Sequence, residues 1–122
     1  MKVKTPIQER RKAPRLDKNI PVKICREDGD LVTETANLSR SGVYCRVEKY
    51  IEPLTKLKIH LLIPLTKNSK IVTKKVSCQG VVVRTETVND KYNVAIFFND
   101  ITQRDAETIA EYISYHSEKK RG

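Results

Sequence analysis

Residues 31–47 read LVTETANLSRSGVYCRV and decide the fold, because two strand patterns lie on either side of a short polar connection. The first pattern, residues 31–36, is rich in Val and Thr, which favour strands. In the second, residues 43–47, apolar side chains alternate with polar ones at the period of a half-buried strand. Residues 37–42 contain Asn, Ser and Gly, the usual composition of a loop between strands. The stretch therefore predicts two strands joined by a loop over residues 37–42.

The same period of two recurs on both sides of this pair. Further strands are predicted over residues 20–26, 57–63, 71–87 and 92–98. Turn residues separate several of these segments, as at Asp28-Gly29 and Asn89-Asp90. Gly80, inside the longest segment, indicates a bulge or a sharp bend in that strand.

The period changes near the C-terminus, where a helix is predicted. Apolar side chains recur there at spacings of three and four, the pattern of one helix face: Ala106, Ile109, Ala110 and Ile113. Asn99 or Thr102 can cap this helix, which is expected to run to about Ser117. Six regularly spaced strands and one terminal helix predict a mainly β domain, a six-stranded antiparallel β-barrel with a C-terminal α-helix.

The net charge of +9 is concentrated at the two ends of the chain. Residues 1–23 contribute +6 and residues 118–122 contribute +2, so residues 24–117 carry only +1. A basic end favours an anionic partner such as nucleic acid, a nucleotide or a membrane surface, although a solvated tail has the same composition. We expect a flexible N-terminal arm over residues 1–9, one domain over residues 10–117 and a basic C-terminal tail over the last five residues.

Several classes of protein are excluded by composition. No apolar run approaches the roughly 18 residues of a membrane-spanning helix and no signal peptide is evident, which predicts a cytoplasmic protein without membrane insertion. Cys25, Cys45 and Cys78 are odd in number and widely spaced, which favours small core side chains over disulfides or zinc ligands. His60 and His116 show no metal-ligand or catalytic spacing, so neither an enzyme nor a cofactor is expected.

Arg11 and Arg15 form an RxxxR pattern, directly preceded by Arg10, in what we call the arginine segment, residues 10–15. Pro14 disfavours a helix at the residue before it, so the segment is predicted to be extended, with the two arginines on one face. A guanidinium fork binds phosphate bidentately and also pairs with the O6 and N7 edge of guanine, whereas lysine offers only a point charge. Taken alone, the pattern also fits a solvated basic tail.

A second pattern, NxSxxG, comprises Asn37, Ser39 and Gly42 in the connection between the two central strands. The Asn37 amide offers both a donor and an acceptor, which suits the edge of a base, and Ser39 adds a hydroxyl. Gly42 permits a tight turn or a close approach of the backbone to a ligand. Taken alone, this pattern also fits an ordinary connecting loop.

Together, and in this order on a β framework, the two patterns resemble the PilZ domain family. Arg11 and Arg15 match the arginine motif of that family. Asn37, Ser39 and Gly42 match its second motif, [D/N]xSxxG. The resemblance implies a six-stranded β-barrel and a bacterial receptor for cyclic di-GMP, which is a ligand and not a cofactor. It also implies that the two arginines grip phosphate and guanine edges, that Asn37 and Ser39 hydrogen-bond a guanine, and that Gly42 shapes the turn.

Two more arginines are candidate ligand contacts. The resemblance implies that Arg10, directly before the RxxxR pattern, binds a self-intercalated ligand dimer, while Arg84 on the long strand offers a further contact. An ordinary surface arginine is the alternative for both. Asn37, where Asp is more frequent, lacks a charged acceptor, which predicts a lower affinity. The N-terminal region is expected to fold across the bound nucleotide.

Two other functions stay open at this point. One is a small basic β-barrel that binds single-stranded nucleic acid, which requires exposed aromatic platforms and a basic groove. The nearly neutral body argues against it, and the candidate platforms are few: Tyr44, Tyr50, Tyr92, Phe97 and Phe98. The other is a PilZ-like scaffold that has lost its ligand and acts only through protein contacts.

A receptor domain without an output domain must pass its signal to a protein partner, which the sequence does not identify. The ligand-ordered N-terminal region and the outer face of the terminal helix are the candidate surfaces. Tyr112 and Tyr115 are expected on that outer face, off the apolar stripe of the helix.

Overall fold

A computed structural model describes the backbone of residues 16–121 and the side chains of residues 16–117. Arg10, Arg11, Arg15 and the predicted N-terminal arm over residues 1–9 lie outside the described residues. The described part forms six strands and one helix, in the order β1 (Pro21–Cys25), β2 (Leu31–Ser39), β3 (Gly42–Val47), β4 (Lys56–Lys67), β5 (Lys70–Val88), β6 (Lys91–Asp100) and α1 (Gln103–Arg121).

The strands form a closed antiparallel barrel in the order β1-β2-β3-β6-β5-β4. Closure comes from β1, which pairs with β2 on one side and with β4 on the other. Along β1, β3 and β4 the buried side chains alternate with more exposed ones, as the period of two predicts. The predicted fold class, a six-stranded antiparallel barrel with a C-terminal helix, is confirmed for the described residues.

Aliphatic side chains fill the barrel, and its cysteines behave as small apolar residues. Cys45 and Cys78 are buried, and burial raises the pKa of both thiols to about 12. Cys25 is half-buried, and all three cysteines are free. The largest fully buried side chains are Ile20, Ile24, Leu38, Ile51, Ile59, Leu61, Ile63 and Ile109.

The connection between β2 and β3 is shorter than the sequence predicts. The loop expected over residues 37–42 is wrong, because Asn37 and Ser39 belong to β2 and Gly42 opens β3. Strand pairing continues through Leu38–Val43 and Ser39–Gly42, so the hairpin turn consists of two residues. Backbone pairing and the burial of Leu38 therefore extend the strand through residues whose composition favours a loop.

The long β4–β5 hairpin also has a tighter turn than expected. The two strands predicted over residues 57–63 and 71–87 leave seven residues between them, but only Asn68 and Ser69 form the turn, with φ of 51° and 65°. Two left-handed residues are what a two-residue hairpin turn requires. The bulge predicted at Gly80 is confirmed, because the pairing of β5 with β6 shifts register between Gln79 and Gly80.

The helix α1 begins with a side-chain cap and packs one face on the barrel. The backbone N–H of Asp105 donates to Thr102 Oγ1 at 3.1 Å, so Thr102 is the cap. Tyr112 is only 3% exposed and is not on the outer face, because it lies one turn after buried Ile109. The helix ends at Arg121, four residues beyond the expected end. No helix in the described part of the chain is long and apolar enough to cross a membrane.

Residues 16–20, which we call the anchor segment, are hydrogen-bonded along β2. The backbone N–H groups of Leu16 and Leu38 donate to each other's carbonyls at 2.9 and 3.0 Å. Thr35, fully buried, donates through Oγ1 to Lys18 O at 2.7 Å and accepts from Ile20 N at 3.1 Å. The chain that directly follows Arg15 is therefore fixed to the barrel wall.

Replacing Thr35 with valine is expected to lower the free energy of unfolding by about 2 kcal/mol, because two partners of its hydroxyl lose their hydrogen bonds. Urea denaturation measures the change. Thr33→Val is the matched control, since Thr33 Oγ1 donates to Arg46 O in an exposed position. It should cost less than about 0.5 kcal/mol, and equal losses in both variants would contradict the anchoring role of Thr35.

Candidate functional site

A cleft of about 730 Å³ lies on the outside of the barrel, between the β2–β3 hairpin and the facing parts of β5 and β6. Its lining residues are Asn37, Ser39, Ser41, Gly42, Val43, Tyr44, Val83, Arg84, Ala95, Ile96 and Phe97. Every candidate site residue that the structure describes, namely Asn37, Ser39, Gly42 and Arg84, contributes to this one cleft. The strand register thus brings Arg84 beside the NxSxxG residues, although more than 40 positions separate them.

Ser39 closes the hairpin at the edge of the cleft. Its Oγ accepts from the backbone N–H of Ser41 at 3.2 Å and lies 3.4 Å from the carbonyl oxygen of Gly42. This local bonding explains why serine suits the last position of β2, directly before a two-residue turn. The hydroxyl holds the turn and faces the cleft at the same time.

Gly42 is required by the neighbouring strand. A Cβ at this position would lie 2.5 Å from the carbonyl oxygen of Ile96 on β6. Among the described glycines only Gly29 has a positive φ, so the backbone at Gly42 does not need a left-handed conformation. The glycine therefore permits close β3–β6 pairing on the floor of the cleft, whereas the sequence suggested a role in the turn or at the ligand.

Asn37 contacts a residue that the sequence analysis missed. Its Nδ2 donates to Asp17 Oδ1 at 2.6 Å. A register shift between Thr35 and Asn37 lies beside this contact, and the Leu16–Leu38 bridge brings the anchor segment alongside. Asp17 follows the arginine motif by two residues, but no spacing rule links it to a position 20 residues later. The contact follows from the backbone pairing of Leu16 with Leu38, which cannot be predicted from the spacing of residues in the sequence.

The opposite rim of the cleft carries a cation that is held by a carboxylate. Arg84 Nε lies 3.5 Å from Glu86 Oε2, and the side chain of Arg84 is 58% exposed. Tyr44 donates through its hydroxyl to Glu86 Oε1 at 3.1 Å. Glu86 thus links a cation from β5 to an aromatic side chain from β3. The sequence indicated Arg84 as a surface contact but gave no signal for Glu86, whose partner lies 42 residues away.

The cleft also presents an exposed apolar surface. Phe97 is 48% exposed although it pairs with both β3 and β5, and Val83 is 55% exposed at a register shift in the pairing of β5 with β6. The neighbouring Phe98 is buried, so the two adjacent phenylalanines lie on opposite faces of β6. An exposed aromatic ring beside amide, hydroxyl and guanidinium groups can stack on a planar base while the polar groups bind its edge.

The residues of the cleft suit binding better than metal chemistry. The described part of the chain contains no group of three or more His, Cys, Asp or Glu that could hold a metal ion. The cleft supplies one cation, one amide, two hydroxyls from serine and the aromatic side chains of Tyr44 and Phe97. Such groups are suited to a planar, polar and partly anionic molecule.

Comparisons with known proteins give one family model and two similar solved structures. The family model described as PilZ domain matches residues 9–115. The inhibitor of motility MotI/DgrA of Bacillus subtilis is similar in structure, with a TM-score of 0.78, 18% identity, and coverage of 90% of this chain and 52% of that one. The chain therefore spans about half the length of MotI.

A second solved structure, the PilZ domain of Escherichia coli YcgR with c-di-GMP, matches with a TM-score of 0.61. It is 11% identical, and the match covers 92% of this chain and 95% of that one. At such low identities these two likenesses establish the fold. No curated protein sequence matches the chain.

Proposed function

The chain belongs to the PilZ domain family, and from this membership we propose that it is a cyclic di-GMP receptor that passes its signal to a protein partner. In this proposal the dinucleotide binds between the arginine segment, residues 10–15, and the cleft. The observation that carries it is the contact between Asn37 in the cleft and the anchor segment that directly follows Arg15.

Covalent geometry supports the participation of the arginines. Arg15 is bonded to Leu16, whose backbone is paired with Leu38 between the two polar motif residues of β2. Consecutive Cα atoms are about 3.8 Å apart, so the Cα of Arg15 stays within that distance of a fixed point beside the cleft. Arg11 precedes Arg15 by four residues in the sequence, and we propose that it binds the same ligand.

The two sides of the site suit the two chemical parts of the ligand. Cyclic di-GMP has two phosphates, which the guanidinium groups of Arg11 and Arg15 bind with paired hydrogen bonds. It also has two guanines, whose edges Asn37 and Ser39 bind from the wall of the cleft. Phe97 supplies a flat face for stacking, and Arg84 supplies a further cation at the rim.

The proposed activity is binding and not catalysis. PilZ domains are ligand-binding and signalling modules, and this chain is proposed to act without a cofactor. Its output then depends on a protein partner that recognises the ligand-bound form. Of the two tyrosines expected on the outer face of α1, Tyr112 is buried and Tyr115 is 36% exposed, so a partner that binds this face would contact Tyr115 and not Tyr112.

Calorimetric titration of the intact chain with cyclic di-GMP tests the receptor function. We expect saturable binding with roughly micromolar affinity, so ligand at about 50 μM should give a clear heat. No heat at this concentration would contradict the proposal. Salt-sensitive binding of single-stranded nucleic acid that survives Arg11→Ala would instead favour the nucleic-acid alternative.

The same titration tests the role of Arg10. If Arg10 holds a ligand dimer, we expect two nucleotides per chain in the wild type and fewer in Arg10→Ala. A stoichiometry of one in the wild type would rule the dimer out.

A separate experiment, a pull-down from cell extract with and without cyclic di-GMP, searches for the protein partner. The expected partner binds only one of the two forms of the chain, ligand-free or ligand-bound.

A further inference from the structure

The Asn37–Asp17 contact fixes which end of the Asn37 amide faces the anchor segment. Asn37 Nδ2 lies 2.6 Å from Asp17 Oδ1. An ionised carboxylate only accepts hydrogen bonds, so the amide must present its NH₂ group to Asp17. The carbonyl end, Oδ1, then points away from Asp17. No hydrogen bond from the described residues reaches Oδ1, and Asn37 lines the cleft.

From this geometry we infer that Asp17 is a positioning residue, which orients Asn37 so that its Oδ1 accepts a hydrogen bond from a guanine in the cleft. The inference rests on the proposed function, because it concerns the same ligand site. It adds to the site a residue that lies outside both sequence motifs.

Orientation matters because guanine presents N–H donors at its N1 and N2 positions. An asparagine turned the other way would direct its NH₂ group at these donors, and the two donors would repel each other. An aspartate at the same position accepts in either orientation, because both of its oxygens are acceptors. When Asp17 fixes its orientation, Asn37 therefore presents an acceptor to the guanine. An aspartate at position 37 would do so without such help.

The backbone of Asp17 is well placed to hold this orientation, because both of its neighbours are fixed. Leu16 exchanges two backbone hydrogen bonds with Leu38, at 2.9 and 3.0 Å. On the other side, the carbonyl of Lys18 accepts from buried Thr35 Oγ1 at 2.7 Å. Asp17 is therefore attached at both ends to the strand that carries Asn37.

The same contact explains why asparagine suits position 37 in this chain. An aspartate there would place a second carboxylate within hydrogen-bonding distance of Asp17 Oδ1, and two ionised carboxylates so close repel each other strongly. With Asp17 present, the neutral amide is the better partner. The charge that Asn37 lacks is supplied by its neighbour.

The test exchanges the two residues and measures cyclic di-GMP binding by calorimetry. Asn37→Asp and Asp17→Asn are each expected to weaken binding by about tenfold, the first through repulsion and the second through loss of the fixed orientation. Asp17→Asn/Asn37→Asp restores a donor opposite a carboxylate, so it should bind within about threefold of wild type. Asp30→Asn, an exposed substitution on the β1–β2 connection, is the matched control and should leave the affinity unchanged.

Independent effects of the two substitutions would give a loss of about a hundredfold in the double variant, and this result would overturn the inference. Single variants that bind as tightly as wild type would overturn it as well. Melting temperatures of the ligand-free proteins test the Asp17–Asn37 contact separately from the proposed receptor function. Even if wild type binds no cyclic di-GMP, Asn37→Asp should lower the melting temperature and the double variant should recover it. A melting temperature unaffected by Asn37→Asp would overturn the contact itself.

Discussion

Arg11→Ala and Arg15→Ala are each expected to weaken cyclic di-GMP binding by about a hundredfold or more. A guanidinium that binds phosphate with two charge-assisted hydrogen bonds contributes roughly 3 kcal/mol, which corresponds to a little over two orders of magnitude in the dissociation constant. The effect is largest if each arginine bridges a phosphate and a guanine edge, because alanine then removes both contacts.

Calorimetry with matched variants measures this loss. Lys12→Ala removes one positive charge from the same segment without touching the RxxxR pattern, and it should change the affinity by less than about threefold. Arg15→Lys separates charge from shape, since lysine keeps the charge but lacks the fork. Equal losses for Lys12→Ala and Arg15→Ala would mean that only the total charge of the segment matters.

Gly42→Ala is expected to lower the free energy of unfolding by about 3 kcal/mol, the upper range for a group forced into a packed site. The new Cβ would lie 2.5 Å from the carbonyl oxygen of Ile96, which is backbone in the middle of β6 and pairs with Val43. This clash can be relieved only if β3 and β6 move apart. The floor of the cleft would move with them, so the affinity for the ligand should fall as well.

Urea denaturation compares this variant with Ser41→Ala in the adjacent turn. Ser41 is exposed, and its side chain makes only a 3.2 Å contact with Ser39 Oγ, so its loss should cost less than about 0.5 kcal/mol. A similarly small effect for Gly42→Ala would show that the β3–β6 pair adjusts freely. The glycine would then be required by the ligand or the turn and not by the neighbouring strand.

The architecture could be predicted from sequence because alternation along a strand records which face is buried. Val22, Ile24 and their equivalents in the other strands follow this rule, so the barrel and its helix were expected correctly. Element ends were less predictable. Asn37 and Ser39 have the composition of a loop, and only the continued pairing with β3 places them in a strand. Tyr112 was expected on the outer face of the helix but is buried. The buried face of the helix is wider than the stripe of its aliphatic residues, and it includes Tyr112.

The candidate site was only partly visible in the sequence. Asn37, Ser39 and Gly42 stood out through their spacing, and they line one cleft. The side chains that support or complete the cleft did not stand out. Asp17 and Glu86 approach it through backbone pairing across 20 or more positions, and a sequence pattern carries no record of such pairing.

The bond between the anchor segment and β2 has a consequence for how the ligand is captured. Leu16 is a fixed point, and the five residues from there to Arg11 span at most about 17 Å. In the proposed complex this length of chain is the tether of both arginines, and a short tether gives an effective concentration of roughly millimolar or higher. Once a guanine occupies the cleft, contact with the phosphates becomes an intramolecular step. If the proposed receptor function holds, we expect the hydrogen bonds of buried Thr35 on the barrel wall to affect the residence time of a ligand that Thr35 itself does not contact.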